Sequence, residues 1–238
     1  MEYADCWDFF DKIYCITVDQ RQDRRHTAGQ EFSRVGLLDR VEFVIVEKHP
    51  RNPEQGIYES HLLCMEKGLA AGAETILIFE DDILFRGFKE TSLCRACSRL
   101  SSYPGWNALF LGCIVSRIDR TDTGSLVRVR YSCLAHGYAV NRCFAEYMVC
   151  IPWQGIPYDG LLKQQNNNFF AVHPMVAFQS DSPTDNHTLQ IDRIRRFLGG
   201  LQRLQQLNEL FHCHKKKIIV SHAVGLVLIV FAGWFCFF

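Results

Sequence analysis

The sequence predicts an α/β fold with a mostly parallel central sheet flanked by helices, followed by a C-terminal transmembrane helix. Short β-type runs alternate with helical patterns through the first half of the 238 residues, and this alternation is typical of a parallel sheet. The continuous apolar run at 75–79 suits a strand that is buried on both faces. The run at 218–238 carries no formal charge and, as a helix, is long enough to cross a bilayer.

Composition excludes several classes of protein. The 26 basic and 26 acidic side chains cancel, which argues against a general nucleic-acid binder. A hydrophobic fraction of 48% is too high for a disordered chain. The 11 cysteines are odd in number and scattered, so we interpret them as free thiols in a reducing compartment rather than as a disulfide framework.

The predicted elements follow from the spacing of apolar residues. Each strand is a short run rich in β-branched or aromatic residues, and each helix has apolar residues at helical spacing. Strands are predicted at 13–18, 41–46, 75–79, 108–112, 126–131 and 138–140, and helices at 27–37, 60–71 and 142–150. A loop rich in Pro, Arg and Asn is predicted at 48–55.

The two ends of the chain predict its location. The acidic N-terminus has no basic region followed by a long apolar run, so no secretory signal is predicted. Lys215, Lys216 and Lys217 precede the apolar run as a cytoplasmic flank would. We therefore expect a single-pass, tail-anchored membrane protein whose globular part is cytoplasmic and whose sequon at 186–188 is unglycosylated.

Residues 189–211 form an amphipathic helical pattern with several arginines between the apolar positions. Two interpretations stay open for this helix: its apolar stripe packs on the globular domain, or the helix lies along the membrane headgroups. The predicted organisation is a globular domain at 1–188, a helical linker at 189–214 and a basic flank with the anchor at 215–238.

The strongest chemical signal is the acidic triplet Glu80-Asp81-Asp82, at the end of the apolar strand. Ligands of open α/β sheets bind beyond the carboxyl ends of strands. Three neighbouring carboxylates repel one another unless a positive group lies among them, and a hard divalent cation suits oxygen ligands. Glu80 and Asp82 are two apart, so on extended backbone they share a face. The alternative is a solvated acidic turn.

Other polar residues converge on the same predicted edge. Asp19, Arg21 and Arg24 follow the first strand, where guanidinium groups suit a phosphate. Asp159 lies between apolar segments and is a candidate general base, although an Asp before Gly is often only a turn residue. Cys94-x-x-Cys97 has no second pair nearby, so the sequence predicts no zinc site there.

Seven segments occur in an order that resembles glycosyltransferase family 25. They are IYCITVDQRQDRR (13–25), GIYESHLLCMEKGLAAG (56–72), ILIFEDDILF (76–85), WNALFLG (106–112), HGYAVNR (136–142), IPYDGLL (156–162) and HPMVAFQSD (173–181). Two segments depart from the family pattern: Thr17-Val18 stands where the family has Asn-Leu, and 57–59 replaces a Gly-Cys pair.

The resemblance implies a GT-A-like fold and a metal-dependent, inverting transfer of a hexose, galactose or glucose, from a UDP-sugar to a hydroxyl of a glycan or protein. It places a divalent ion, Mn²⁺ (or Mg²⁺), near the acidic triplet; on that basis we assign the ion and the diphosphate to Glu80 and Asp82, a contact with the donor sugar or outside the metal's ligands to Asp81, and the role of base to Asp159. The residues it assigns to donor binding are Asp19, Arg21, Arg24, Ser60 and His61. A third metal ligand is sought among His173, Asp185 and His187.

Two other functions stay open. A catalytically silent family member would act as a membrane-anchored binding protein, and the altered segments at 17–18 and 57–59 favour it. A nucleotidyltransferase would share the sheet and the acids, but it usually needs a Gly-rich or Lys-rich triphosphate loop early in the chain, which this sequence lacks.

Overall fold

Ten strands, six α-helices and two short 3-10 helices (Cys6–Phe9 and Leu38–Arg40) are found in residues 5–180 and 200–237, which the computed structural model describes, with side chains described for 5–180 and 200–222. The strands are β1 (Lys12–Val18), β2 (Val41–Val46), β3 (Thr75–Glu80), β4 (Ile83–Phe85), β5 (Ala108–Phe110), β6 (Ile114–Arg120), β7 (Leu126–Cys133), β8 (Gly137–Asn141), β9 (Phe169–Val172) and β10 (Ala177–Gln179). The helices are α1 (Gln22–Arg34), α2 (Pro53–Ala70), α3 (Glu90–Leu100), α4 (Arg142–Val149), α5 (Tyr158–Gln164) and α6 (Gly200–Phe237).

Eight strands form one mixed sheet in the order β2-β1-β3-β8-β5-β9-β7-β6, and β4 pairs with β10 beside it. Among the described strands of the large sheet, β1–β2, β1–β3 and β5–β9 are parallel, and the other four pairings are antiparallel. The prediction of a mostly parallel sheet is therefore wrong. Its second half contains the β6–β7 hairpin, and β8 runs antiparallel between β3 and β5.

Strand β3 is the buried centre of the sheet. The four residues from Ile76 to Phe79 have no exposed surface. Ile76 and Ile78 face one hydrophobic core, whereas Leu77 and Phe79 face the other. The prediction that this run is buried on both faces is confirmed, and the burial fixes the direction in which the strand delivers the acidic triplet that follows it.

Helix α2 begins earlier than the apolar spacing predicts. Asn52 is its N-cap, and the Asn52 side chain accepts hydrogen bonds from the backbone N–H groups of Glu54 (3.1 Å) and Gln55 (3.4 Å). Pro53 at the first helical position has no N–H to satisfy there, so it favours the same start. The predicted loop at 48–55 therefore ends at this cap.

The described part of α6 packs on the sheet. The Asn208 side chain bonds both the N–H and the carbonyl of Val115 on β6, each at 2.9 Å. Gln205 donates to the Ala177 carbonyl (2.8 Å), and Glu209 accepts from the Met175 N–H (3.0 Å). These contacts agree with the first of the two interpretations of the amphipathic pattern, in which the helix belongs to the domain.

The predicted C-terminal transmembrane helix is wrong, and so is the single-pass anchor that the localisation depended on. In the described part of the chain, no helix combines the length and the apolar character that a membrane crossing requires. The apolar run does not form a separate element: it continues α6, which starts at Gly200 and includes Glu209 and Lys215–Lys217. The sequon at 186–188, together with Asp185 and His187, lies outside the described residues.

Gly112 supplies a test of the packing of α6 and β10 against the sheet. A Cβ atom at Gly112 would lie 1.7 Å from the Ala177 carbonyl oxygen, and it would also meet the Gln205 amide. We expect Gly112→Ala to lower the free energy of unfolding by about 3 kcal/mol in denaturant titrations, because the added methyl group forces the backbone at Ala177 to move. The matched control, Gly124→Ala, meets open space and should change stability by less than about 0.5 kcal/mol. Equal losses would contradict the packing of α6 described above.

Candidate active site

A cavity of about 380 Å³ opens at the carboxyl ends of β1 and β3. This is the edge where the parallel strands β2, β1 and β3 end side by side. The polar side chains around it include Arg24, Lys48, Ser60, His61, Glu80, Asp81, Asp82, Asp159 and Gln179. Six carboxylates, those of Glu47 and Glu54 included, and one buried imidazole thus share one cavity.

Asp81 is fully engaged by protein partners. Its Oδ2 accepts a hydrogen bond from the buried Thr17 hydroxyl (2.7 Å), and its Oδ1 lies 3.4 Å from Nη1 of Arg24. Thr17 is the last buried residue of β1, so its hydroxyl reaches across to the end of the neighbouring strand. These contacts fix the orientation of the Asp81 carboxylate.

Asp82 is partnered on one oxygen only. Its Oδ2 accepts from the Gln179 amide (2.9 Å) and lies 3.6 Å from Arg24, whereas its Oδ1 is buried and has no hydrogen-bond partner among the described residues. Only 5% of the side chain is exposed. Burial, followed by the nearby Glu80 carboxylate, raises the pKa of Asp82 to about 7. A buried carboxylate oxygen without a hydrogen-bond partner is a candidate position for binding a ligand or an ion.

Glu80 is linked to the interior by His61. The Nε2 of His61 is 3.3 Å from the Glu80 carboxylate, and its Nδ1 is 3.0 Å from the Tyr138 hydroxyl. Burial lowers the pKa of His61 to about 3, so the ring is neutral, and it stacks on Tyr158 at 4.1 Å. The pKa of Glu80 is raised to about 8 by burial and by the Asp159 and Asp81 carboxylates. The uncharged His61 ring therefore orients the Glu80 carboxylate but contributes no positive charge beside it.

Asp159 lies in the first turn of α5 and accepts three hydrogen bonds. The Tyr131 hydroxyl and the Ala135 N–H (3.2 Å) donate to its Oδ1, and the Leu134 N–H (3.0 Å) donates to its Oδ2. The carboxylate is therefore held against the chain between β7 and β8 while it faces the cavity.

The cavity gathers most of the predicted site residues. Those that line it are Glu80, Asp81, Asp82, Asp159, Arg24, Ser60 and His61. Ser60 also donates its hydroxyl to the Gly56 carbonyl within α2 (2.6 Å). Asp19 and Arg21 do not line the cavity: Asp19 is exposed, and Arg21 bonds Asp23 (3.0 Å). The donor-binding roles of Asp19 and Arg21 stay predictions, as do the roles of the residues that line the cavity.

Several residues of the site were not predicted from the sequence. Thr17 was noted only as a departure from the family pattern, and Gln179 only as part of the last matching segment. Tyr131 and Tyr138 lie in β-type runs and carried no signal of a polar role. Their hydroxyls each bond a residue far away in sequence, so local patterns cannot reveal them.

The donor set fits a divalent cation at Asp82 and Glu80. Carboxylate oxygens are the ligands that Mn²⁺ and Mg²⁺ prefer, and the buried unpaired Oδ1 of Asp82 is a suitable position. The carboxylates are not clustered as tightly as a complete metal site: among the described residues, only Cys6, Glu90 and Cys94 place three ligand atoms within 4.8 Å of one another. His173, a candidate third ligand, instead bonds Glu209 (2.7 Å).

No protein-family model matches the chain, and no curated protein matches it by sequence. Solved structures are similar to it at low identity. They include A197 from STIV, with a TM-score of 0.46 and 11% identity over 71% of this chain and 85% of that one. A mannose-1-phosphate geranyltransferase from Thermus thermophilus has a TM-score of 0.41 and 10% identity over 68% and 73%.

A glycosyltransferase involved in the glycosylation of the major capsid of PBCV-1 has a TM-score of 0.40 and 8% identity, covering 67% of this chain and 80% of that one. The structural neighbours thus include glycosyltransferases, but none of them points to family 25 in particular. At these TM-scores the similarity carries no functional weight, and function has to be inferred from the cavity itself.

The unpaired oxygen of Asp82 predicts that this residue destabilises the metal-free protein. The pKa of Asp82 rises from 3.8 to about 7 on folding, so its ionisation lowers stability increasingly between these pH values, and the whole cost is present at pH 8. We expect Asp82→Asn to raise the free energy of unfolding by about 1 kcal/mol at pH 8 with a chelator present, in denaturant titrations.

The matched control is Asp39→Asn, an exposed position where the same change should have no measurable effect on stability. A loss of stability in Asp82→Asn would show that the carboxylate is a structural group. Its role as a ligand position would then have to be abandoned.

Proposed function

We propose that the protein is a metal-dependent inverting glycosyltransferase of the family 25 type, which transfers a hexose from a UDP-sugar to a hydroxyl of a glycan or protein. The observation that carries this proposal is Asp82, which has a buried, unpaired oxygen in a cavity lined by five further carboxylates. The ordered segments that resemble family 25 support the same reaction class.

The donor end of the cavity lies where β1 and β3 end. Glu80 and Asp82 hold the divalent cation, which when bound would offset the charge that develops on the departing nucleoside diphosphate. Arg24 adds positive charge beside the two aspartates, and Asp81, held by Thr17, is oriented toward the donor sugar. A cavity of about 380 Å³ falls within the usual size of small-molecule sites.

The nucleoside end is the apolar wall of the same cavity. Val18 and Val46 come from the ends of adjacent parallel strands, and Ile57 comes from the first turns of α2. We place the base and ribose against this wall, because apolar side chains suit the faces of a nucleobase and leave the acidic end for the diphosphate and sugar.

The acceptor side is assigned to Asp159. Inversion requires that the acceptor hydroxyl attack from the face opposite the leaving diphosphate and lose its proton to a base. Both oxygens of Asp159 already accept hydrogen bonds in the free protein. The acceptor hydroxyl therefore has to replace one of these bonds, and the one from Tyr131 is donated by a side chain rather than by the backbone.

The reaction is tested with the full chain and a panel of UDP-hexoses, with and without Mn²⁺. We expect release of UDP by hydrolysis or transfer, dependent on Mn²⁺ and reduced on the order of 10²-fold or more in Asp82→Asn but unchanged in Asp39→Asn. Release of pyrophosphate from a sugar phosphate and UTP would instead identify a nucleotidyltransferase. Absence of both turnover and donor binding would contradict the proposal and favour a catalytically silent binding protein.

The base is tested by comparing two variants that disturb the same hydrogen bond. We expect Asp159→Asn to lower kcat on the order of 10²-fold while donor binding is kept, because the amide cannot take up the proton. Tyr131→Phe removes the hydroxyl that bonds Asp159 but leaves the carboxylate, so its kcat should stay within a few-fold of the parent. Equal losses in both variants would mean that Asp159 only positions the chain around β7.

A further inference from the structure

A second group of metal-ligating side chains lies outside the cavity. The Sγ atoms of Cys6 and Cys94 and a carboxylate oxygen of Glu90 are all within 4.8 Å of one another. Cys6 begins a short 3-10 helix, Cys6–Phe9, that precedes β1, whereas Glu90 and Cys94 belong to α3. None of the three residues lines the acidic cavity.

The geometry of α3 explains why Glu90 and Cys94 act together. They are four residues apart on one helix, so their side chains lie on the same face one turn apart. The CxxC partner, Cys97, is instead fully buried in the hydrophobic core. Cys94 therefore has its thiol neighbour in Cys6, which is 88 positions away in sequence, and the absence of a second nearby pair does not exclude a metal.

Packing that needs no ion holds Cys6 against α3. Trp7, the next residue, donates its indole N–H to the Val35 carbonyl (3.0 Å). Its ring stacks on Phe88 with centroids 5.4 Å apart and planes at 2°, and Phe88 lies two residues before Glu90. The backbone segments that carry the three ligands are therefore brought together by the core, which lowers the conformational entropy lost on binding a metal.

The chemistry of the three ligands selects the metal. Two thiols and one carboxylate suit Zn²⁺, which accepts sulfur and oxygen, and they do not suit Mn²⁺ or Mg²⁺, which prefer oxygen alone. Glu90 is exposed and Cys94 is half-buried, so a fourth position is open to a water molecule.

The surroundings are acidic. Asp5 and Asp8 lie near the thiols, although both pair with Arg40, at 2.9 and 2.6 Å. Burial, followed by the neighbouring Cys94 thiol and acidic groups, raises the pKa of the Cys6 thiol well above its usual range.

We propose that Cys6, Glu90 and Cys94 form a zinc site that ties the N-terminal 3-10 helix to α3. On binding, each thiol loses its proton to solvent, so two protons are released and Zn²⁺ is bonded to two thiolates, one carboxylate and a water. The site is independent of the acidic cavity and of the glycosyltransferase proposal, and the ion would join two segments that are far apart in sequence.

The test uses the full chain, reduced and freed of metal, titrated with Co²⁺ as a spectroscopic substitute for Zn²⁺. We expect thiolate-to-cobalt charge-transfer absorption that saturates at one equivalent and disappears when Zn²⁺ is added. Cys94→Ser should abolish the absorption, whereas Cys143→Ser, at an exposed cysteine outside the cluster, should leave it unchanged. Asp82→Asn should also leave it unchanged, which separates this site from the cavity.

Because the cysteine variants disturb packed positions, Glu90→Gln supplies a second measurement at an exposed ligand. It should weaken Zn²⁺ affinity at least tenfold in competition with a chromogenic chelator, while far-UV circular dichroism stays unchanged. The proposal is overturned if the reduced parent chain shows no charge-transfer absorption or if Cys94→Ser keeps it.

Discussion

The whole site depends on one constraint: the most buried strand of the sheet ends in three consecutive carboxylates. Because Ile76–Phe79 are enclosed on both faces, the backbone of β3 cannot shift to carry the acids into solvent. The Glu80 N–H also bonds the His136 carbonyl (3.1 Å), which fixes the backbone where the triplet begins. The electrostatic cost of placing anions there is offset by Arg24, by the Thr17 hydroxyl and by the Gln179 amide, and the offset is complete only for Asp81.

The three acids have different environments, and this difference is what separates their roles. Asp81 has partners on both oxygens and is held rigidly, Asp82 keeps one buried oxygen unpaired, and Glu80 is oriented by a neutral imidazole. In a cavity of low dielectric, neighbouring carboxylates with distinct partners acquire distinct proton affinities and distinct functions. A buried oxygen without a hydrogen-bond partner lowers the stability of a folded chain, and such costs are common at functional sites.

Much of the local structure could be predicted from the sequence, because hydrophobic spacing decides it. The bounds of β2 at 41–46 and the double burial of β3 followed directly from the apolar runs. Strand direction could not be predicted, since an apolar run such as β8 is the same whether it pairs parallel or antiparallel. The start of α2 depended on one side-chain cap at Asn52. In the site, the acids and Arg24 were predictable from their place after strands, whereas Gln179 reaches Asp82 from 97 residues away.

Helix α6, part of which was predicted to be a membrane anchor, contacts the segment that leads to the site. Gln205 and Glu209 of α6 bond the backbone at Ala177 and Met175, which fixes the approach to β10. Strand β10 pairs with β4, directly after the acidic triplet, and the Ser180 N–H bonds the Asp82 carbonyl (2.8 Å). Helix α6 therefore holds the strand that orients Asp82, by contacts in its first three turns. The apolar second half of α6 led the sequence analysis to predict a membrane anchor. The position of the helix is instead fixed by the amide and carboxylate side chains in its first three turns.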